Sequence, residues 1–107
     1  MTYNELIFLP HPSGVGYQAR FTFDNGYEMS VVCGRLFYCT PKMDLMFPDE
    51  YDTYEIAIFS PDGMFVTDEF INCYGNDVAG YLSKDDISDL MTNVDNNNKR
   101  KNNIVLQ

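Results

Sequence analysis

Apolar and polar residues alternate most regularly between residues 17 and 33, which indicates two β-strands with one buried face each. Asn25-Gly26 separates the two alternating runs and is a strong signal for a β-hairpin turn. The apolar side of the first run consists of Tyr17, Ala19, Phe21 and Phe23, and that of the second of Tyr27, Met29, Val31 and Cys33.

The same alternation selects the register of this hairpin. A two-residue Asn25-Gly26 turn would pair Phe23 with the polar Glu28 and would mix the two faces. A three-residue loop of residues 24–26, with Gly26 left-handed in a bulge, keeps apolar partners together. The predicted pairs are Phe23 with Tyr27, Phe21 with Met29 and Ala19 with Val31.

Three further segments have strand-like composition. Residues 5–9 form an apolar run that Pro10 ends, and residues 54–59 form another. The sequence Ser60-Pro61-Asp62-Gly63 suits a type I turn with a left-handed glycine, so residues 64–67 are predicted to return antiparallel. Residues 38–52 show no sustained period and are predicted to form a long loop.

Helical spacing appears only towards the C-terminus. A short helical turn is expected from Asn76 or Asp77 to residue 82, and Ser83 with Asp86 then resembles a capping box. Apolar residues at 87, 90, 91 and 94 predict a helix over residues 84–94 with one apolar face.

The predicted fold is α+β: an antiparallel sheet of about four to five strands, with one C-terminal helix packed on one face. Residues 1–94 form a single domain, and the Asn-rich residues 95–107 are predicted to be a disordered tail.

Charge is the most informative bulk property of the chain. Sixteen acidic residues oppose seven basic ones, and three of the basic residues lie together at positions 99–101. Residues 1–95 thus hold sixteen acids against four bases, which gives a net charge of −12. Between Met43 and Ser83 there are nine acids and no basic residue. Such a surface repels nucleic acid and anionic membranes and attracts basic proteins.

The candidate catalytic residues are few, and no cofactor motif is present. His11 is the only histidine, so neither a two-histidine metal site nor a triad is indicated. A cysteine nucleophile would need His11 as its base, which the spacing does not exclude, but a structural or incidental role for His11 is favoured. The three cysteines have no zinc-binding spacing and are expected to be reduced thiols. No signal peptide or membrane span is indicated, so a cytoplasmic protein is expected.

Acidic residues near tyrosines are the predicted partner-binding surface. Carboxylates would supply phosphate-like charge, while tyrosine rings supply contact area and hydrogen bonds to a basic protein. The predicted partner-binding residues are Asp44, Asp49, Glu50, Tyr51, Asp52, Tyr54, Glu55, Asp68 and Glu69.

Four segments in order resemble small uncharacterised proteins of bacteriophages and prophages, a likeness that spans roughly residues 6–94. These segments are Pro10-His11-Pro12-Ser13-Gly14, Asn25-Gly26-Tyr27, Tyr54-Glu55-Ile56-Ala57 and residues 77–82 before an acidic helix. The resemblance implies a role in infection. Small acidic phage proteins often inhibit host defence, including anti-CRISPR and anti-restriction proteins.

The leading functional hypothesis is therefore a non-enzymatic inhibitor that binds a host protein which handles nucleic acid, by imitating nucleic acid. An immunity protein or antitoxin would use the same acidic surface against a toxin. A third hypothesis is a divalent-metal enzyme built on Asp44, Asp49, Glu50 and Asp52, although the chain lacks a calcium-loop motif. A homodimer through an exposed strand edge is a further open alternative.

Overall fold

The computed structural model describes the backbone of residues 1–105 and the side chains of residues 1–97. Five strands and two α-helices follow one another along the chain, with short 3₁₀ turns at Tyr3–Glu5 and Pro48–Glu50. The elements are β1 (Leu9–Pro10), β2 (Tyr17–Thr22), β3 (Glu28–Cys33), β4 (Tyr54–Phe59), α1 (Thr67–Phe70), β5 (Ala79–Leu82) and α2 (Lys84–Val105).

The strands form one antiparallel sheet in the order β1-β2-β3-β4-β5. Each strand lies beside its neighbour in sequence, so the sheet is a meander with β1 and β5 at its edges. This confirms the α+β class and the antiparallel sheet predicted from the sequence.

The first hairpin has the predicted register. Ala19 pairs with Val31 and Phe21 pairs with Met29. The backbone N–H of Phe23 donates to the carbonyl of Tyr27 at 2.8 Å, so a three-residue loop closes the hairpin. Gly26 has a φ of 88°, the left-handed conformation that such a loop requires.

The segment after β4 differs in part from its prediction. The predicted turn forms, because the Gly63 N–H donates to the carbonyl of Ser60 at 2.9 Å. The chain then returns antiparallel as predicted, through a bridge between Phe59 and Phe65 and a hydrogen bond from the Val66 N–H to the Ile58 carbonyl at 2.8 Å, but the return is short because α1 begins at Thr67. The Thr67 hydroxyl accepts the Ile58 N–H at 2.9 Å and so takes the place of a further strand partner.

β5 fills the position beside β4 that the return strand was predicted to take. Tyr54 pairs with Leu82 and Ile56 pairs with Ala79, with a bulge between them. The predicted helical turn over residues 76–82 is therefore wrong. Pairing with β4 outweighs the weak local signal of this segment, which contains a glycine and no helical repeat.

The N-terminal strand is also shorter than predicted. The expected strand over residues 5–9 is replaced by the 3₁₀ turn Tyr3–Glu5 and a two-residue β1, in which Pro10 pairs with Tyr17. Proline has no N–H to donate and is tolerated here because β1 is an edge strand. Tyr3 is buried, and its N–H donates to Ser88 Oγ at 2.9 Å, which ties the 3₁₀ turn to α2.

The capping box that begins α2 is confirmed. The Ser83 N–H donates to Asp86 Oδ2 at 3.0 Å, and the Asp86 N–H donates to Ser83 Oγ at 3.1 Å. At the other end of the sheet, Asn25 Nδ2 donates to the Val94 carbonyl at 2.8 Å.

The backbone of α2 continues past Val94, the predicted helix end. The predicted disordered tail of residues 95–107 falls mainly on residues 98–107, whose side chains lie outside the described residues.

The core lies between α2 and one face of the sheet. Alternation in β4 puts Ile56 and Ile58 into this core and leaves Glu55 on the opposite face. The three cysteines are buried free thiols. Core residues contributed by α2 are Ile87, Leu90, Met91 and Val94.

Candidate functional site

Two predicted partner-binding residues, Tyr51 and Tyr54, are core residues. Their side chains are 1% and 0% exposed, so a partner cannot contact their rings in this fold. The prediction that they form part of a binding surface is wrong. Burial is favoured because each phenol finds a hydrogen-bond partner inside the protein.

The hydroxyl of Tyr54 belongs to a buried cluster that also contains the phenol of Tyr3. Tyr54 Oη lies 2.8 Å from Tyr3 Oη and donates to the Pro48 carbonyl at 2.7 Å. Tyr3 Oη donates to Asp49 Oδ1 at 2.7 Å. Burial raises the pKa of Tyr54 to about 12 and holds the pKa of Tyr3 far above its ordinary value. Both phenols are therefore protonated donors at neutral pH.

Tyr51 fixes the loop that precedes it. Its hydroxyl donates to the Met43 carbonyl at 2.7 Å and accepts the Leu45 N–H at 3.0 Å. From the other side, Tyr17 Oη donates to the Met46 carbonyl at 2.6 Å. The long predicted loop is thus held in place by the hydroxyls of Tyr51 and Tyr17.

This framework positions three of the predicted carboxylates on the surface. Asp49, Glu50 and Asp52 are exposed. Asp49 accepts the Tyr3 hydroxyl, Glu50 Oε1 accepts the Phe47 N–H at 2.8 Å, and the Asp52 N–H donates to the Thr40 carbonyl at 2.8 Å. The first two contacts hold the carboxylates of Asp49 and Glu50, whereas the third holds only the backbone at Asp52.

The first turn of α2 brings two more carboxylates to the same end of the sheet. Asp85 and Asp86 are exposed, and Asp85 lines a shallow depression of about 330 Å³ together with Asp52. Lys84 joins the two segments, because its Nζ donates to the Asp49 carbonyl at 2.8 Å. We call the five carboxylates the acidic end: Asp49, Glu50, Asp52, Asp85 and Asp86.

Exposed apolar side chains adjoin the acidic end. Met46 is 76% exposed and Phe47 is 59% exposed. Phe47, Asp49 and Glu50 line a second depression of about 510 Å³, whose other side is formed by Leu6 and Phe8. Apolar contact area beside fixed charges is typical of a protein–protein interface.

The other predicted acids do not join this surface. Asp44 forms an ion pair with Arg35, at 3.0 Å between Oδ2 and Nε. Glu55 lies on the sheet face opposite α2, where its Oε1 accepts the Tyr38 N–H at 3.0 Å. The acidic residues that the sequence groups together are thus divided among separate places.

Asp68 and Glu69 lie on α1, and Asp68 has a local structural role. Its Oδ1 accepts the N–H groups of Cys73 at 2.8 Å and Gly75 at 3.2 Å, and these hydrogen bonds lower its pKa. Glu69 is exposed. Cys73, whose N–H Asp68 accepts, lines a cleft whose tyrosines were not among the predicted site residues.

That cleft has a volume of about 590 Å³. Its walls include Tyr38, Tyr74 and Tyr81, which are 51%, 88% and 56% exposed. We call it the tyrosine cleft. Its residues come from the long loop, the segment after α1 and β5, so sequence spacing gives no sign that they meet.

Metal and membrane features are absent from what the structure describes. Among the side chains of residues 1–97, no three histidine, cysteine or acidic residues are arranged to hold a metal ion. No described helix combines the length and apolar character needed to cross a bilayer. His11 bonds to Ser13 within its own loop, at 2.8 Å between Nδ1 and Oγ.

Comparison with protein-family models, with curated proteins and with solved structures finds no match for this chain.

Proposed function

We propose that this chain is a non-enzymatic binding protein whose acidic end docks on the basic, nucleic-acid-binding surface of a partner protein. The observation that carries this proposal is the arrangement of the acidic end. Five exposed carboxylates from two segments lie at one end of the sheet, and hydrogen bonds from the Tyr3 hydroxyl and from the N–H groups of Phe47 and Ser83 hold three of them, those of Asp49, Glu50 and Asp86.

Rigid placement matters because a nucleic-acid mimic must present its charges without first ordering them. Mobile side chains lose conformational entropy when they bind, whereas prearranged groups lose less. The exposed Met46 and Phe47 add apolar contact area beside the charges. Together these features favour a specific complex over diffuse attraction.

The finer proposal is that the partner is a host defence protein and that the chain is a phage-type inhibitor. This rests on the sequence resemblance and on the acidic surface. The same surface would also neutralise a basic toxin, so the identity of the captured partner separates an inhibitor from an immunity protein or antitoxin.

Two triple variants test the proposal with matched charge. The acidic-end variant carries Asp49→Asn, Glu50→Gln and Asp52→Asn. The opposite-end variant carries Asp24→Asn, Asp62→Asn and Asp95→Asn. Asp24 and Asp62 lie in turns and Asp95 lies on α2, all at the far end of the sheet from the acidic end. There, Asn25 Nδ2 is 3.5 Å from the Asp95 carbonyl.

Affinity capture from nuclease-treated extract of the cells that express the protein is expected to separate these variants. The wild-type and opposite-end proteins should retain a nucleic-acid-binding protein, and the acidic-end variant should retain about tenfold less of it. If both variants retain the partner equally, or lose it equally, the acidic end is not the binding surface.

A further inference from the structure

The tyrosine cleft is a second feature with recognition chemistry, and it does not include any residue of the acidic end. Tyr38 and Tyr81 both line it and form a tilted aromatic pair, with ring centroids 6.2 Å apart and planes inclined at 48°. Both side chains are about half exposed.

Close backbone packing builds this pair. The Tyr81 N–H donates to the Tyr38 carbonyl at 3.0 Å, and Glu55 Oε1 accepts the Tyr38 N–H at 3.0 Å. Gly80 lets the chains approach, because a Cβ at this position would lie 2.5 Å from the Tyr38 Cβ. The two rings therefore occupy fixed positions.

The backbone of Tyr81 is strained. Its φ is 63°, and Tyr74, at the other side of the cleft, has a φ of 58°. A bulky residue rarely adopts this conformation, which glycine adopts freely. Backbone stability therefore does not explain a tyrosine at either position, and such outliers concentrate at binding sites.

The electrostatics of the cleft favour a cation. Asp77 is exposed and lines the cleft, and Asp68 accepts the N–H of Cys73, which also lines it. The Tyr38 ring already attracts a cation, since Lys42 Nζ lies 5.2 Å from its centre, although Lys42 does not line the cleft. Aromatic faces beside a carboxylate attract cationic groups.

We propose that the tyrosine cleft binds an arginine side chain of the partner protein, with the guanidinium against the exposed parts of Tyr38 and Tyr81 and near the carboxylate of Asp77. Arginine fits better than lysine because its planar guanidinium stacks on aromatic rings and is more weakly hydrated. The inference rests on the proposed function for the basic nature of the partner, but it concerns a different surface.

A blocked Gly-Gly-Arg-Gly-Gly peptide tests the site without the partner. Its citrulline counterpart has nearly the same shape without the charge. Titration followed by NMR of the tyrosine rings should shift the Tyr38 and Tyr81 signals, and arginine should bind about tenfold more tightly than citrulline. Equal binding of the two peptides would overturn the proposal.

Variants locate the binding. Tyr81→Gly removes the ring and relieves the strained backbone, so it should weaken arginine binding about tenfold while the protein keeps or gains thermal stability. The acidic-end variant should bind the peptide within about twofold of wild type, since Asp49, Glu50 and Asp52 do not line this cleft.

The two variants also separate this inference from the proposed function. If the acidic-end variant loses arginine binding and Tyr81→Gly does not, the arginine binds at the acidic end and the cleft proposal is wrong while the proposed function stands. If only the Tyr81→Gly variant loses arginine binding, the arginine binds in the tyrosine cleft, whatever the result of the partner-capture experiment.

Discussion

Association of the captured partner with the acidic-end variant is expected to be about tenfold slower than with wild type at low ionic strength. The five carboxylates of the acidic end attract a basic surface over about one Debye length, roughly 10 Å at 0.1 M salt. Removing three of them weakens this attraction during approach. Surface-plasmon measurements of the association rate from low to high salt would show a shallower salt dependence for the variant than for wild type.

The fold should tolerate these three substitutions. Asparagine at position 49 keeps an oxygen that accepts the Tyr3 hydroxyl, and glutamine at position 50 keeps one for the Phe47 N–H. We expect a loss of at most about 1 kcal/mol in the free energy of unfolding. The opposite-end variant should associate within about twofold of wild type. A salt-independent association rate in the wild-type protein would contradict electrostatic docking.

The protein is expected to lose stability steeply above about pH 10, and Tyr54→Phe is expected to reduce that loss. The ordinary pKa of a tyrosine is 10.0, and burial raises the pKa of Tyr54 to about 12. Between these values the unfolded chain releases the proton while the folded protein keeps it. Stability is therefore complete below pH 10 and declines as pH rises through 12, at up to about 1.4 kcal/mol per pH unit for each such group.

Urea unfolding at intervals from pH 8 to 12 would measure this slope. Cys33, whose pKa burial raises to about 12, and Tyr3 contribute to the same decline. The difference between wild type and Tyr54→Phe therefore measures Tyr54 together with its effect on the pKa of Tyr3, which the Tyr54 hydroxyl also raises. At pH 8 the variant should be about 1–3 kcal/mol less stable, because the Pro48 carbonyl and the Tyr3 hydroxyl lose a buried partner. Parallel slopes of stability against pH for the two proteins would show that the pKa of Tyr54 is not raised.

Local signals were sufficient where one short pattern decided the structure. The Asn25-Gly26 loop and strict alternation set the β2–β3 register, and Ser83 with Asp86 marked the start of α2. β5 was missed because its bulge and the left-handed Tyr81 disrupt alternation, and only pairing with β4 makes it a strand.

The candidate site was only partly predictable because its assembly is long-range. Asp49, Glu50 and Asp52 were identified by composition, but Asp85 and Asp86 join them only because β5 places the start of α2 at that end of the sheet. The burial of Tyr51 and Tyr54 likewise depends on loop carbonyls, which composition does not reveal.

The placement of Asp49 has the same origin. It lies in the predicted long loop, and its carboxylate accepts the hydroxyl of Tyr3, 46 positions earlier in the sequence. A charge run shows how many carboxylates are present, whereas only the fold shows which of them are fixed and which are already paired, as Asp44 is with Arg35.

Competition with nucleic acid tests the central claim most directly. The captured partner is bound to a labelled nucleic acid that it recognises, and this protein is added while fluorescence anisotropy is recorded. If the acidic end occupies the nucleic-acid surface, the wild-type protein will displace the label completely, and the acidic-end variant will need about tenfold more protein to do so. A ternary complex, in which the partner holds the labelled nucleic acid and this protein together, would contradict the account.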